Sequence, residues 1–376
     1  MIHQSLQIPT ADWVDQFFNF ENVGRTLEEL ETPVPVIDLD VVVKNLVRWQ
    51  THCDLNSIFN RPHIKTHKLV GMAKLQLALG AKGICVQKIG EAEVMADAGI
   101  NDQLLTFNVV GAAKLVRLAA LRRRIDIAVV ADSLAVAEGL ARAAKMADRT
   151  LRVLVECDTG AGRNGVQSPK AALVLAQQLD RLLGLSFAGL MTYPPAFARG
   201  AIAAFIAETK MLLTNSGLDC ECVTSGGSRD LWDTKGLADV TEYRVGTYIY
   251  NDRLQVAAGA FTFDDCAESV LTTVVSTPTE DRAIVDAGSK ALTSDLLGME
   301  GYGIVRALND APLYQLNEEH GYLDISASAH KPKVGDLLRV SMNHVCPVNN
   351  LFDKVVFVRG ETVLGAVKVD ARGKVQ

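Results

Sequence analysis

Within Arg61-Pro62-His63-Ile64-Lys65-Thr66-His67-Lys68, two lysines and two histidines stand at the end of a short apolar run that reads as a strand. A lysine at the C-terminal tip of a strand can reach the mouth of a barrel and form a Schiff base with an aldehyde cofactor. That chemistry needs an amine that gives up its proton readily, which neighbouring positive charge and partial burial supply. A solvated basic turn would look the same in isolation. A second chemical group lies far along the chain, in Met342-Asn343-His344-Val345-Cys346-Pro347. Read as a strand, it places His344 and Cys346 on one face, where imidazole and thiolate together suit zinc. Two protein ligands leave positions open for water or substrate, as catalysis requires; a buried strand pair is the alternative.

The elements that must position these groups follow an alternating pattern. Apolar runs at 62–65, 83–87, 103–107, 125–131, 152–157, 185–192, 220–225 and 243–248 are separated by stretches of helical period. In one of these, Leu134, Ala137, Leu140, Ala141 and Ala144 show the i, i+3, i+4 spacing of an apolar helix face. Eight strands alternating with helices predict a parallel (β/α)8 barrel over 41–255. One strand, 33–38, precedes the eight and must pair elsewhere. After residue 255 the pattern turns to short strands at 269–276, 282–286, 301–306, 322–326, 337–342, 354–359 and 362–367. Residues 256–376, completed by 1–40, therefore read as a mainly β domain.

Barrel enzymes keep their chemistry at the C-terminal ends of the strands, with phosphate sites after strands seven and eight. Strand seven here ends in Thr224-Ser225-Gly226-Gly227-Ser228 and strand eight in Arg244-Val245-Gly246-Thr247-Tyr248. Small residues and hydroxyls let backbone N–H groups approach a phosphate; two ordinary glycine turns would read alike. With a lysine on the first strand, the set fits pyridoxal phosphate (PLP). Arg163, after strand five, could point at the cofactor's phenolic oxygen or sit in a surface salt bridge. Tyr193, after strand six, could lie against the pyridine ring or pack in the core. Cys220 and Cys222 read as packing residues, and His52, His320 and His330 acquire no role from their surroundings.

Composition narrows the field. A length of 376 residues with 48% hydrophobic and 22% charged positions suits a globular protein of two domains. A net charge of −6 argues against nucleic acid or an anionic membrane as partner. Met1–Ser5 lacks the features of a signal peptide, and seven scattered cysteines argue against a disulfide framework. A cytoplasmic setting is the expectation.

The chain resembles the D-threonine aldolase and D-serine dehydratase family of fold-type III PLP enzymes, relatives of alanine racemase. The resemblance runs through Thr32-Pro33, residues 61–68, Gln87–Glu93, Asp158–Gly165, Thr224–Gly227, Asp286–Ala291 and His344–Pro347. It implies that Lys65 holds PLP, that Gln87, Arg163 and Tyr193 surround the ring, and that Thr224, Gly226, Gly227 and Tyr248 contact the phosphate. It makes His344 and Cys346 ligands of a divalent metal, zinc or alternatively manganese, that holds the substrate β-hydroxyl. It also implies a head-to-tail homodimer. Two departures bear on the reaction. Aldolase members carry Asp where this chain has Cys346, and they are histidine-rich after the strand-six tyrosine, where this chain reads Pro194-Pro195-Ala196-Phe197-Ala198-Arg199. Dehydratase members also tend to have a histidine there. The expected activity is dehydration of a D-3-hydroxy amino acid to a 2-oxo acid and ammonia. Retro-aldol cleavage to glycine and an aldehyde is the alternative, followed by racemisation or non-catalytic PLP binding.

Overall fold

The computed structural model describes residues 7–234 and 239–376; Met1–Ser5, read above for a leader, lies outside the described residues. Seventeen strands are described. The first, β1 (Val34–Asp38), is followed directly by a helix, Leu39–Leu55. The Asp38 carboxylate caps that helix by accepting from the amides of Asp40 and Val41. Eight parallel strands come next: β2 (Phe59–Asn60), β3 (Ile84–Val86), β4 (Asp102–Leu105), β5 (Asp126–Ala131), β6 (Leu151–Cys157), β7 (Leu185–Thr192), β8 (Val223–Ser225) and β9 (Glu242–Tyr243). They pair in sequence order, and β9 returns to β2. A parallel bridge between His63 and Cys85 brings the chain after β2 against β3, so the two edges of the sheet meet.

Helices between the strands turn one apolar stripe inward. In Leu134–Ala147, Val136, Ala137, Leu140, Ala143, Ala144 and Ala147 are buried, and Ser133 caps the start. Leu134, read as part of that face, is instead partly exposed. Helix Pro169–Arg181 starts with Ser168 as cap and Pro169 in its first turn, where the missing N–H costs nothing.

The remaining strands are β10 (Glu268–Thr279), β11 (Arg282–Val285), β12 (Gly303–Val305), β13 (Ala311–Leu316), β14 (Gly321–Asp324), β15 (Leu337–Met342), β16 (Lys354–Arg359) and β17 (Thr362–Lys368). The order β11-β14-β13-β12-β15-β10, with a further β10–β11 pairing, closes a ring of antiparallel strands. The surplus N-terminal strand joins this domain: β1 pairs antiparallel with β10 and parallel with β16. Strand β13 has no counterpart in the sequence reading, since Pro312 and a register shift between Leu313 and Gln315 break its period. Among the described residues no helix is long and apolar enough to cross a membrane.

Two local differences bear on the site. The eighth parallel strand ends at Tyr243, and Thr247–Ile249 form a single 3-10 turn where a strand to Tyr248 is expected. Strand β15 ends at Met342. His344 is the N-cap of a short helix, Val345–Leu351, so His344 and Cys346 do not share a strand face.

Candidate active site

The C-terminal ends of the parallel strands open onto a cavity of about 330 Å³, within the size range of small-molecule sites. Lys65 enters after β2, Gln87 after β3, Thr106 after β4, Arg163 after β6, Tyr193 after β7, Gly227 after β8 and Gly246 after β9. His344 and Cys346, from the β domain, line the same cavity. The lysine and the metal-type pair, remote in sequence, thus face one space.

Around Lys65 the polar groups are tied in place. His63 Nε2 lies 3.0 Å from Gln87 Oε1, and His63 Nδ1 accepts from the Lys65 amide at 3.4 Å. Burial, then the charges of Lys65 and Arg244, hold the His63 pKa well below the ordinary imidazole range, so the ring is neutral. Gln87 is fixed further by its side-chain amide, which donates to the Thr106 carbonyl at 3.2 Å. Lys68, the other lysine of the octapeptide, is buried away from the cavity and donates to Glu91 at 2.8 Å. The second Glu91 oxygen accepts from the amide of Gln87, also at 2.8 Å.

Arg163 and Tyr193 meet at the mouth. The guanidinium lies 4.8 Å from the centre of the tyrosine ring, a cation–π contact, and its Nε donates to Asn164 at 2.9 Å. Behind it, Glu156 is buried, with one oxygen 3.9 Å from Arg163 and the other unpartnered. Burial pushes this carboxyl up to about 7, against the pull of Arg163 and Arg244.

Three of the residues expected at the phosphate do not line the cavity. Tyr248 is fully buried among Trp49 and the core, and its hydroxyl accepts from Gln76 at 3.0 Å. The 3-10 turn after β9 rotates it inward, away from the strand-end position on which its assignment depends. Thr224 Oγ1 is spent on protein partners, donating to Glu242 at 2.9 Å and accepting from Arg244 Nε at 2.9 Å. Gly226 packs against the Arg244 backbone, where a Cβ would come within 2.7 Å of its carbonyl oxygen. Gly227, Ser228 and Arg229 do line the cavity.

Arg244, which sequence reasoning did not single out, lies on the cavity wall and is buried. It ends a chain of contacts that runs from the half-exposed Asp102 into the sheet interior. Asp102 pairs with Arg61 at 2.7 Å, Arg61 with Glu242 at 2.8 Å, Glu242 with Thr224, and Thr224 with Arg244. Its NH2 group donates to the Thr192 carbonyl at 2.6 Å. The i, i+2 spacing of Arg244 and Gly246 at a strand end was the available signal, as was that of His63 and Lys65.

On the opposite wall, His344 Nδ1 is 2.8 Å from Asp252, which also accepts from the Val345 amide at 3.2 Å. This leaves Nε2 as the ring nitrogen not engaged by Asp252. Cys346 Sγ lies 3.1 Å from Thr66 Oγ1 and 3.8 Å from Thr247 Oγ1. Burial opposes charge on both groups, yet their mutual attraction, with Asp252 and Lys65, lifts His344 to about 10 and holds the Cys346 thiol below its usual range. Among the described residues no cluster of three or more such donors occurs, so the pair stands alone. An imidazole–thiolate pair of this kind is a donor set for a divalent metal. PLP also fits: Lys65, Arg163, Arg229 and Arg244 give the cavity a cationic lining, and a Cβ at Gly227 would meet nothing nearer than Asp230 at 3.7 Å, leaving the backbone open to a phosphate.

A parallel eight-stranded sheet with helices, joined to a β domain built partly from the N-terminus, is the alanine racemase-like fold. Residues 37–253 match the alanine racemase N-terminal domain, and residues 267–358 match a putative serine dehydratase domain. The chain belongs to the D-threonine aldolase and D-serine dehydratase family within this fold. It is 35% identical to a D-threonine aldolase of Arthrobacter sp., over 93% of this chain and 95% of that protein. It is 32% identical to the D-threo-3-hydroxyaspartate dehydratase of Delftia sp. HT23, over 87% of this chain and 94% of that protein. The solved D-threonine aldolase of Filomicrobium marinum superposes with a TM-score of 0.88 at 31% identity, covering 95% of this chain and 100% of that one. Two solved variants of the dehydratase carry alanine at a histidine and at a cysteine two positions apart, and the cysteine variant is described as metal-free.

Proposed function

We propose that this protein is a PLP- and metal-dependent lyase that dehydrates D-3-hydroxy amino acids to a 2-oxo acid and ammonia. That it is a lyase of this family rests on the relatives over nearly its whole length. The observation that carries the choice of reaction is the His344–Cys346 pair facing Lys65 across one cavity. The histidine and the cysteine replaced in the two solved dehydratase variants have the same spacing.

Lys65 is the residue to hold the cofactor, with Gln87, Arg163 and Tyr193 around its ring and the Gly227–Ser228 backbone at its phosphate. His344 Nε2 and Cys346 Sγ would hold the metal, zinc by their chemistry. When bound, PLP supplies an electron sink for charge at Cα, and the metal supplies a Lewis acid at the 3-hydroxyl. Lys65 would be the group that takes the α-proton of the substrate. Neutral His63 and Gln87 keep the lysine side of the cavity oriented without adding a competing charge. Loss of the α-proton and of the 3-hydroxyl as water leaves an enamine, which hydrolyses to the 2-oxo acid and ammonia.

The loop after β7 supports dehydration over cleavage. Retro-aldol chemistry needs the hydroxyl proton removed. Pro194 and Ala196 are the loop's contribution to the cavity, and Arg199 is turned away onto Asp233 at 2.6 Å. The likeness to D-threonine aldolases favours cleavage as the second reading. Supplying the protein with PLP, zinc and D-serine separates the two. Dehydration yields pyruvate and ammonia in equal amounts; glycine and formaldehyde as the main products would establish cleavage instead.

A further inference from the structure

The side-chain end of the substrate must lie beside His344 and Cys346 if these act on the 3-hydroxyl. Two leucines line the cavity there, Leu254 and Leu297, from separate segments. Both segments are anchored to Asn343, the residue before His344. The Leu254 amide donates to the Asn343 carbonyl at 3.3 Å. The Asn343 side-chain amide donates to the carbonyls of Asp295 at 3.0 Å and Gly301 at 2.9 Å, pinning the loop that carries Leu297. Arg253 secures the same carboxamide through its oxygen at 2.6 Å.

Leu297 is held at φ +51, in the left-handed region that a leucine seldom adopts, and its side chain is half exposed at the cavity mouth. A bulky residue kept in that conformation indicates that its placement serves the site. Two of the arginines lining the cavity are engaged by protein partners, Arg163 by Tyr193 and Asn164, and Arg244 by Thr224 and Thr192. Two carboxyls pack behind His344, Asp252 at 2.8 Å and the buried Glu268, which is held by Asn349 at 2.8 Å.

We propose that Leu254 and Leu297 form an apolar subsite for the substrate side chain, selecting D-3-hydroxy amino acids with an alkyl or aryl group on C3 over those with a carboxylate there. This rests on the lyase reading for the position of the hydroxyl. A carboxylate placed between two leucines loses its water without gaining a partner, whereas a methyl or phenyl group loses nothing.

The test uses the holoenzyme and two kinds of ligand. D-threonine and D-threo-3-hydroxyaspartate report turnover. D-2-aminobutyrate and D-aspartate lack the 3-hydroxyl and report binding alone, by titration calorimetry. The wild type should favour D-threonine by more than about tenfold in kcat/KM, and D-2-aminobutyrate over D-aspartate in Kd. Leu297→Ala and Leu254→Ala should each lower kcat/KM for D-threonine by about tenfold or more and that for hydroxyaspartate by less, so that the ratio between the two substrates falls. Preference for the dicarboxylates in the wild type would overturn the subsite. So would ratios that neither variant moves, including the case in which Leu297→Ala changes only the oligomeric state. Preferential binding of D-2-aminobutyrate with no turnover of either substrate would uphold the subsite and overturn the lyase reading instead.

Discussion

The two walls of the cavity are built differently. The Lys65 wall belongs to one domain, and each group arrives from the end of its own strand: Lys65, Gln87, Thr106, Arg163, Tyr193 and Gly227. Its fixed points are buried and local to the sheet, as in the Arg61–Glu242–Thr224–Arg244 chain. The His344 wall is a junction. His344 stands at the start of a seven-residue helix, and its orientation comes from Asp252, which precedes a different helix 92 positions earlier. Cys346 completes the junction by touching Thr66 and Thr247 across the domain boundary. The first wall is therefore tuned by deep substitutions within the sheet, and the second by how the two domains meet.

Breaking the first wall at Lys65 should have the largest effect. Lys65→Ala is expected to lower turnover by at least about 10³-fold, in the range set by loss of a group that both binds covalently and moves a proton. Borohydride treatment of PLP-loaded protein should label Lys65. A label on Lys68, which is buried against Glu91, or on Lys290, which pairs with Glu319 at the surface, would reassign the site.

A smaller effect sharpens the reading of the buried chain. Thr224→Val removes the oxygen that accepts from Arg244 Nε and donates to Glu242. It leaves two buried polar groups short of a partner, at a cost of about 1–3 kcal/mol each. PLP affinity and kcat should fall together by about tenfold, with Thr224→Ser recovering most of the loss. An effect confined to phosphate affinity, unrelieved by serine, would point to direct contact with the phosphate.

The mildest change concerns Glu156. Its folded-state pKa, raised by burial to about 7, lies above the unfolded value near 4.5. The unfolded chain therefore binds fewer protons than the folded one between these values, and stability is lost as pH rises through that window. Glu156→Gln should remove this fall, raising stability at pH 8 relative to the wild type by on the order of 1–3 kcal/mol and changing little at pH 4. Thermal melts at the two pH values check the sign.

The same contrast explains what could be read in the sequence. Alternating strands and helices announce a parallel sheet, and the residues after each strand fall at one end of it by geometry alone. Lys65, Gln87, Arg163, Tyr193 and Gly227 line one cavity for this reason. Tyr248 does not, because β9 stops at Tyr243 and a 3-10 turn breaks the period of two on which the assignment depended. Thr224 lies where it was expected but turns its hydroxyl to a glutamate and an arginine brought there by other strands. His344 and Cys346 also line the cavity, but where a strand face was expected a helix N-terminus occurs. Asp252, which orients His344, gave no local signal, since its partner is set by the tertiary fold.

The central claim is that Lys65 and the His344–Cys346 pair act together across one cavity. Its most direct test is metal reconstitution of chelator-stripped, PLP-loaded protein, following bound zinc and oxo-acid formation from D-threonine in the same samples. The account predicts that activity returns in proportion to one zinc per chain, that Cys346→Ala binds neither metal nor recovers activity, and that the Lys65-bound cofactor absorbance is unaltered throughout. Full oxo-acid formation by the stripped wild type would contradict it.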